Sequence, residues 1–189
     1  MYAIIKFASI YMKIDLKDIF DFFELRIACH VRSVNYFASL LGYHFPEHDQ
    51  NKLQEPFRTG YAYVFYTAYH KNFCLKPEHK ELCKQAHDDH HKHSLHHIEY
   101  YENVADIPDI RLYEMISDWA SANFEQRNII KAKDSLSLDK WFHNNMSSLP
   151  WTEHQTNIIL SAFDTLKKQT DTKQIMAIWE PVSDSKSDF

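Results

Sequence analysis

Apolar residues recur at intervals of three and four along most of the chain, the spacing that predicts amphipathic helices. The first of these stripes runs from about Leu16 to Leu41 and stops at Gly42, a residue suited to the left-handed position that follows a helix. Further helices are predicted over Phe57–Phe73, from Pro77 through Ala86 into a histidine-rich stretch, and over Leu112–Ala122, Leu136–Met146 and Thr152–Lys168. Start signals support two of them, because proline is tolerated in a first turn and threonine is a good N-cap. The sequence therefore predicts an all-α fold, a bundle of about six helices.

Two short β-prone runs lie near the ends of the chain, Ala3–Phe7 and Gln174–Trp179. They could pair as a small terminal β-ribbon. A two-stranded ribbon alone is only marginally stable in water, so this ribbon would be an accessory to the helical bundle.

Length and composition narrow the class of protein. A chain of 189 residues, 44% of them hydrophobic, is predicted to form a single domain over residues 1–189. The two glycines, Gly42 and Gly60, are too few for a Gly-rich phosphate loop or a dinucleotide-binding fingerprint. The formal net charge of −5 argues against a broad nucleic-acid-binding surface, so a nucleic-acid partner stays open but is not favoured.

The cysteines and the N-terminal residues indicate in which cellular compartment the protein is expected. Cys29, Cys74 and Cys83 are an odd number without C-x-x-C spacing, which predicts neither a disulfide framework nor a thiolate zinc site and favours the reducing cytoplasm. The apolar run Met1–Met12 has no basic leading region and is shorter than the ~20 residues of a membrane span. We therefore expect no signal peptide and no membrane partner.

Histidine is the residue type that stands out. The chain has 13 histidines, and a dense group of them occupies residues 90–97 at or just past the end of the third predicted helix. If this segment stays helical, His93 and His97 lie one turn apart, as do His90 and His93, so that one face offers two or three imidazoles to a metal ion. The alternative is a solvated polar tract.

Three other positions carry metal-ligand chemistry. His30 lies on the apolar stripe of the first helix, where a satisfied core histidine is the ordinary alternative. The adjacent pair His48 and Asp49 lies in a proline-containing loop with Lys52 three residues on, where the backbone could turn both side chains toward one ion. Asp118 lies beside the apolar face of the fourth helix, where an unpaired carboxylate would be costly. A polar loop and a helix-surface aspartate are the respective alternatives.

Taken in chain order, these residues resemble the HD superfamily of metal-dependent phosphohydrolases. That pattern has a histidine on one helix, a His-Asp doublet, further histidines in binuclear members and a closing aspartate. The stretch from His30 to Ala38 also resembles the H-x-x-x-V-x-x-x-A segment common in HD proteins. A closer resemblance is to a small HD-like family of phage and bacterial proteins with HD-x-S-K, H-H-P-E and D-W blocks. It covers roughly residues 18–165, with Asn51 in place of serine and Ile98 in place of proline.

The resemblance implies an HD-like helical bundle, a metal site and a reaction. The implied metal ligands are His30, His48, Asp49, His90, His96, His97 and Asp118. They would hold one or two divalent transition metal ions, Mn, Fe, Co, Ni or Zn, with Mg also open. The reaction would be hydrolysis of a nucleotide phosphoester, in a monophosphate, triphosphate or cyclic nucleotide, by a metal-activated hydroxide. Asp49 would bridge two ions, while Lys52 would pair with a phosphate oxygen and Glu99 would orient a ligand histidine or handle protons.

Several alternatives stay open at this point. A mononuclear site would use only His30, His48, Asp49 and Asp118. The chain could instead bind a nucleotide or a metal without turnover, or use the metal only for structure. A nucleobase could stack on Tyr61, Tyr100, Tyr101 or Trp119, although most rings must belong to the core. A homo-oligomer is also open.

Overall fold

The computed structural model describes residues 15–185, which form seven α-helices and no strand. The helices are α1 (Leu16–Leu40), α2 (Phe57–Tyr69), α3 (Pro77–His93), α4 (Asp109–Phe124), α5 (Leu138–Asn145), α6 (Glu153–Gln169) and α7 (Thr172–Asp184). Short 3₁₀ turns cover Gln50–Leu53, Ile98–Tyr100 and Val104–Asp106, and a π-helical segment, Glu125–Ile130, continues α4. The all-α prediction is confirmed.

The helix ends follow the local signals in the sequence. Gly42 adopts a φ of 84°, the left-handed conformation expected after α1. Pro77 occupies the first turn of α3, where its missing N–H leaves no helical hydrogen bond unmade. Thr152 and Gln155 form a reciprocal capping box at the start of α6. These ends therefore lie close to the predicted ones.

The predicted β-ribbon is wrong for the segment that the structure describes. Gln174–Trp179 belongs to α7, and Ile175, Trp179 and Val182 are fully buried at spacings of four and three, which is the period of a helix. The other half of the ribbon, Ala3–Phe7, lies outside the described residues. The seventh helix is thus the one that the sequence pattern missed.

Helix α1 is the central element and packs against α2, α4, α6 and α7. A buried ion pair fastens it to the end of α4, where the Arg26 Nε donates to Glu125 Oε1 at 2.9 Å. Tyr69 at the end of α2 donates its hydroxyl to the same oxygen at 2.6 Å, and the Arg26 guanidinium lies over the Phe65 ring at 3.5 Å. Because a buried charge is stable only when paired, this network fixes three helices relative to one another. It lies one turn from His30.

The sequence predicts no disulfide framework and no membrane span, and the described part of the chain bears on both. Cys29 and Cys83 are buried, Cys74 is exposed, and all three are free thiols. None of the helices within residues 15–185 combines the length and the apolarity that crossing a membrane would require.

Helices α2 and α3 approach each other closely at Gly60. A Cβ atom added there would lie 2.5 Å from Ala86 Cβ and 2.6 Å from the Leu82 carbonyl oxygen. Both distances are too short for real contacts, so only glycine allows this packing. The approach matters for function because α3 carries His90.

We expect Gly60→Ala to destabilise the protein by about 1–3 kcal/mol, because α3 must move away from α2. Helix propensity alone predicts the opposite sign, a gain of about 1 kcal/mol for glycine to alanine. Chemical denaturation followed by circular dichroism measures the difference. Ala68→Gly, at an exposed position of the same helix, calibrates the propensity effect. An increase in stability for Gly60→Ala would show that the packing argument is wrong.

Candidate metal centre

His30 is the first buried polar residue of the centre. It lies on α1 with 2% of its side chain exposed, and its Nε2 atom is 3.0 Å from Asp118 Oδ1 on α4. The opposite ring nitrogen, Nδ1, is 3.2 Å from the hydroxyl of Ser121, which also donates to Ser33 at 2.8 Å. The hydroxyl therefore orients the ring so that Nε2 points at the carboxylate.

The His48 and Asp49 pair enters from the loop after α1. Asp49 has a φ of 60°, a left-handed conformation that aspartate and asparagine tolerate better than most residues, and it begins the 3₁₀ turn that follows. This turn directs both side chains inward, so that Asp49 Oδ2 lies 3.4 Å from His30 Nε2 and 3.7 Å from His48 Nε2. Lys52, one turn on, donates to the same oxygen at 2.7 Å.

A second group of imidazoles faces the other oxygen of Asp49. His90, from the last turn of α3, places Nε2 3.2 Å from Asp49 Oδ1, and His96 places its Nε2 at 3.3 Å. The donor atoms of His90, His96 and His97 lie within 4.8 Å of one another. Asp49 Oδ2 thus faces His30 and His48, which we call the first half-site. Its Oδ1 faces His90 and His96, which together with His97 we call the second half-site.

The outer nitrogens of these rings are held by hydrogen bonds. His48 Nδ1 lies 3.1 Å from Glu114 Oε1, and His90 Nδ1 lies 3.1 Å from the Ser94 hydroxyl. The inner atoms are different, because within residues 15–185 several buried ones have no hydrogen-bond partner: Nε2 of His48, His90, His96 and His97, and Oδ1 of Asp49. Buried polar atoms are seldom left unpaired unless an ion or a water belongs there. These buried clusters can hold a metal ion.

The electrostatics of the centre favour a bound cation. Burial opposes ionisation, but the neighbouring Lys52 and imidazoles hold the pKa of Asp49 well below its usual range, and the imidazoles do the same for the pKa of Asp118. Burial also opposes charging of His48, yet the charge of Asp49, the nearby carboxylate of Asp118 and the hydrogen bond with Glu114 raise its pKa to about 10. In the metal-free protein His48 therefore carries a proton that balances part of the buried negative charge.

Two rings of the second half-site, His90 and His97, are neutral. Burial lowers the pKa of His90 to about 4, against the opposing effect of the nearby Asp49 carboxylate. Burial and the neighbouring His96 also lower the pKa of His97. Both rings are therefore ready to act as neutral nitrogen ligands at physiological pH.

The structure brings together all seven residues predicted as metal ligands, whereas His93 and Glu99 lie outside the group around Asp49. Helix α3 ends at His93, because Ser94 is extended with φ −113° and ψ 121°. The alignment of His93 and His97 along one helix face is thus wrong, and His93 is exposed, with Nδ1 2.7 Å from the Asp89 carbonyl. Glu99 faces His91, at 3.1 Å from Nδ1, rather than Asp49.

Of the four candidate base-stacking rings, Trp119 and Tyr61 are used for packing. Trp119 lies in the core beside Trp141 and Trp151, at ring-centroid distances of 5.8 and 6.4 Å. Tyr61 is buried and meets His90 edge-on at 5.5 Å. Tyr100 is exposed, and the adjacent Tyr101 donates its hydroxyl to the Leu95 carbonyl at 2.9 Å.

Sequence analysis missed the residues that orient the ligands. Glu114 and Ser121 lie on the same face of α4 as Asp118, at spacings of four and three, and that spacing was the available signal. Ser94 was hidden because its role depends on where α3 ends. Glu114 also lies 3.6 Å from His96 Nδ1, so one carboxylate orients a histidine of each half-site.

The comparisons with known proteins identify a family. The profile of a family of unknown function, DUF5662, matches residues 20–178. The chain belongs to the DUF5662 family. No curated protein and no solved structure matches the chain. The segment matched to DUF5662 contains every residue of the centre described above.

A cavity of about 430 Å³ adjoins the centre of this DUF5662 chain and is lined in part by His48, Asp49 and His96. Its wall also includes Arg111, whose guanidinium donates to Glu114 Oε2 at 2.7 Å and whose side chain is 35% exposed. The volume is within the range of pockets for small molecules. A cationic side chain at its rim suits an anionic ligand.

Metal affinity should rise with pH, because the proton on His48 competes with the ion. Below a pKa of about 10, binding at His48 releases about one proton, so the affinity increases up to about tenfold per pH unit. Asp49 and His90 add nothing to this slope, since both are already deprotonated near pH 7. Calorimetric titration with Zn²⁺ in two buffers of different ionisation enthalpy measures the number of protons released.

Glu114→Gln is the matched variant for this measurement. It keeps an oxygen near His48 and removes the charge, so the pKa of His48 falls and fewer protons are released near pH 7. His93→Ala, at an exposed histidine outside the centre, should behave as the wild type does. Binding without proton release in the wild type would contradict the assignment of His48 as a ligand.

Proposed function

We propose that the chain is a metal-dependent phosphohydrolase that hydrolyses a phosphoester of a nucleotide. The observation that carries this proposal is the position of Asp49, whose two oxygens face separate groups of imidazole nitrogens. Divalent metal ions in such a site supply Lewis acidity, which polarises a phosphoryl oxygen and lowers the pKa of water so that it can act as a nucleophile near neutral pH.

The donor set suits two ions of a borderline transition metal. His30, His48, Asp49 and Asp118 would hold the first. His90, His96 and His97, with the other oxygen of Asp49, would hold the second. Mixed imidazole and carboxylate donors favour Mn, Fe, Co, Ni or Zn over Ca, and Mg stays a candidate because three carboxylates lie in or beside the centre.

The resemblance to the HD superfamily supports the same reaction class. A histidine on one helix, a His-Asp doublet, further histidines and a closing aspartate follow in the order of that superfamily, and the all-helical bundle is compatible with its architecture. The four segments are far apart in sequence, yet the histidines of three of them meet at Asp49, and Asp118 joins the group through His30 and His48. The resemblance and the geometry are separate arguments for the proposal.

The chain's own residues hold this site in shape. Lys52 fixes Asp49 through the 2.7 Å hydrogen bond and neutralises part of its charge, which is a positioning role rather than the phosphate contact suggested by its place in the sequence. Ser121 and Ser94 fix the rings of His30 and His90 from outside. A centre with preset rings needs little rearrangement to bind a cation, and this favours catalysis over loose metal capture.

In this proposal the substrate binds in the cavity beside the centre. Arg111 has a planar guanidinium that binds phosphate oxygens in a bidentate manner. Its partner Glu114 holds it at the cavity wall. The volume of about 430 Å³ suits one nucleotide rather than a polymer.

Asp49→Asn tests the proposal with little risk to the fold, because asparagine has the same shape and also tolerates the left-handed conformation. We expect wild type loaded with Mn²⁺, Fe²⁺, Zn²⁺ or Mg²⁺ to hydrolyse at least one member of a panel of nucleoside monophosphates, triphosphates and cyclic nucleotides. The variant should keep its circular dichroism spectrum and lose at least about 100-fold in rate. His143→Ala, at an exposed histidine of α5 outside the cavity, serves as the control and should retain activity. A variant that hydrolyses the same substrate at the wild-type rate would overturn the role of Asp49.

A metal-stabilised structural protein is the second candidate, because the inner donors are almost entirely buried. The side chains of Asp49, His48 and His90 have no measurable exposure. Buried ligands of this kind are typical of sites in which metal binding and folding are coupled.

Chelation distinguishes the two candidates. If the protein is an enzyme, removal of the metal with EDTA should abolish hydrolysis and lower the melting temperature while the chain keeps its helical circular dichroism spectrum at 25 °C. If the metal is structural, the same treatment should remove the cooperative unfolding transition. Restoring the metal should reverse either effect, which excludes irreversible damage as the cause.

A further inference from the structure

A second group of metal-ligating side chains lies beside the buried centre. The donor atoms of His91, His97 and Glu99 lie within 4.8 Å of one another, and His91 Nδ1 is 3.1 Å from Glu99 Oε1. The His91 and His97 rings stack at a centroid distance of 3.8 Å. Within the described residues, His97 Nε2 is a buried atom without a hydrogen-bond partner, and the contact of His91 Nδ1 with Glu99 does not have hydrogen-bond geometry. Buried ligand nitrogens are left in this way when an ion belongs beside them.

The two groups differ in their access to solvent. The side chain of Glu99 is 55% exposed and that of His91 is 22% exposed, whereas those of His90 and Asp49 are fully buried. A hydrated divalent ion can therefore exchange its first water molecules for Glu99 and His91 at the surface. The inner donors are buried, and an ion reaches them either from the outer group through His97 or from the cavity that His48, Asp49 and His96 line in part.

His97 belongs to both groups. It clusters with His90 and His96 on the inner side and with His91 and Glu99 on the outer side. We propose that His91, His97 and Glu99 form an outer metal site for a divalent transition metal ion such as Zn²⁺, from which the ion passes to the inner centre through the shared His97. The transfer step depends on the proposed inner centre, whereas binding at the outer site does not.

The outer site binds more weakly than the inner centre, for a geometric reason. The His91 and His97 rings are nearly parallel, with planes 13° apart, so their nitrogens can aim at one ion only after a ring tilts. The His91 ring also stacks on His87 at a centroid distance of 3.9 Å, so a tilt of His91 gives up a stacking contact. The inner rings are already held by hydrogen bonds to their outer nitrogens, so binding there requires less reorganisation. A weaker, accessible site next to a tighter, buried one is the order required for delivery inward.

The experiment is a titration of the metal-free full-length chain with Zn²⁺ against a chromophoric chelator. For the wild type we expect tight binding at the inner centre and one further, weaker equivalent, which His91 and Glu99 hold while the inner ion occupies His97. His91→Ala and Glu99→Gln should each lose the weaker equivalent and keep the tight binding. His93→Ala removes an exposed histidine of the same helix outside both groups and should keep both. Absence of the weaker equivalent in the wild type, or its retention in both outer variants, would overturn the outer site.

Delivery is measured by the rate at which Zn²⁺ fills the inner centre after rapid mixing. We expect His91→Ala and Glu99→Gln to slow this rate at least about threefold at an unchanged final content of tightly bound metal. An unchanged rate would overturn delivery. Asp49→Asn separates this proposal from the proposed function, because it disables the inner centre and should still bind the weaker equivalent. If the wild type binds only that weaker equivalent, the inner centre and the proposed function fail while the outer site stands.

Discussion

Three carboxylates, those of Asp49, Asp118 and Glu114, are packed into the interior where α1, α3 and α4 converge, and the rest of the centre compensates for their charge. Lys52 neutralises Asp49 and Arg111 neutralises Glu114, whereas the contacts of Asp118 in the centre are with the imidazoles of His30 and His48. A buried charge without a counter-charge costs several kcal/mol. A proton on His48 supplies part of that counter-charge in the metal-free protein, and a divalent cation supplies more of it from the same position.

The scaffold around the centre is as constrained as the centre itself. The buried network of Arg26, Glu125 and Tyr69 joins α1, α2 and the end of α4. Glu125 follows Ser121 by one turn and Arg26 precedes His30 by one turn, so the network sits directly beneath the His30 half-site. Because Gly60 has no Cβ atom, α3 can pack closely against α2 at this position. Helix packing therefore sets the positions of His30, Asp118 and His90, whereas the other ligands depend on the turns that follow α1 and α3.

Local patterns explain which parts of the structure could be predicted from the sequence. The apolar stripe around His30 and the turn around His48 and Asp49 depend on residues that are neighbours in sequence. Both could therefore be predicted from the sequence. The segment Gln174–Trp179 was misassigned because a short apolar run fits a strand and a buried helix equally well until its longer period is known. The helix end at Ser94 separated His93 from His97, and no strong stop signal marks it. Glu114 was missed because its meaning depends on His48, which is distant in sequence and close only in the fold.

The burial that sets the chemistry of the centre also restricts how an ion can enter it. A divalent cation holds its water shell strongly, and losing that shell in one step before any protein ligand binds would be a large barrier. Stepwise exchange lowers the barrier, because each water leaves as a protein ligand takes its place. Glu99 can make the first contact at the surface, His91 the second, and His97 the third, after which the ring of His97 is already next to His90 and His96. The density of histidine in this short segment then has a physical reason, since the inner centre uses some of these rings and the route to it uses others.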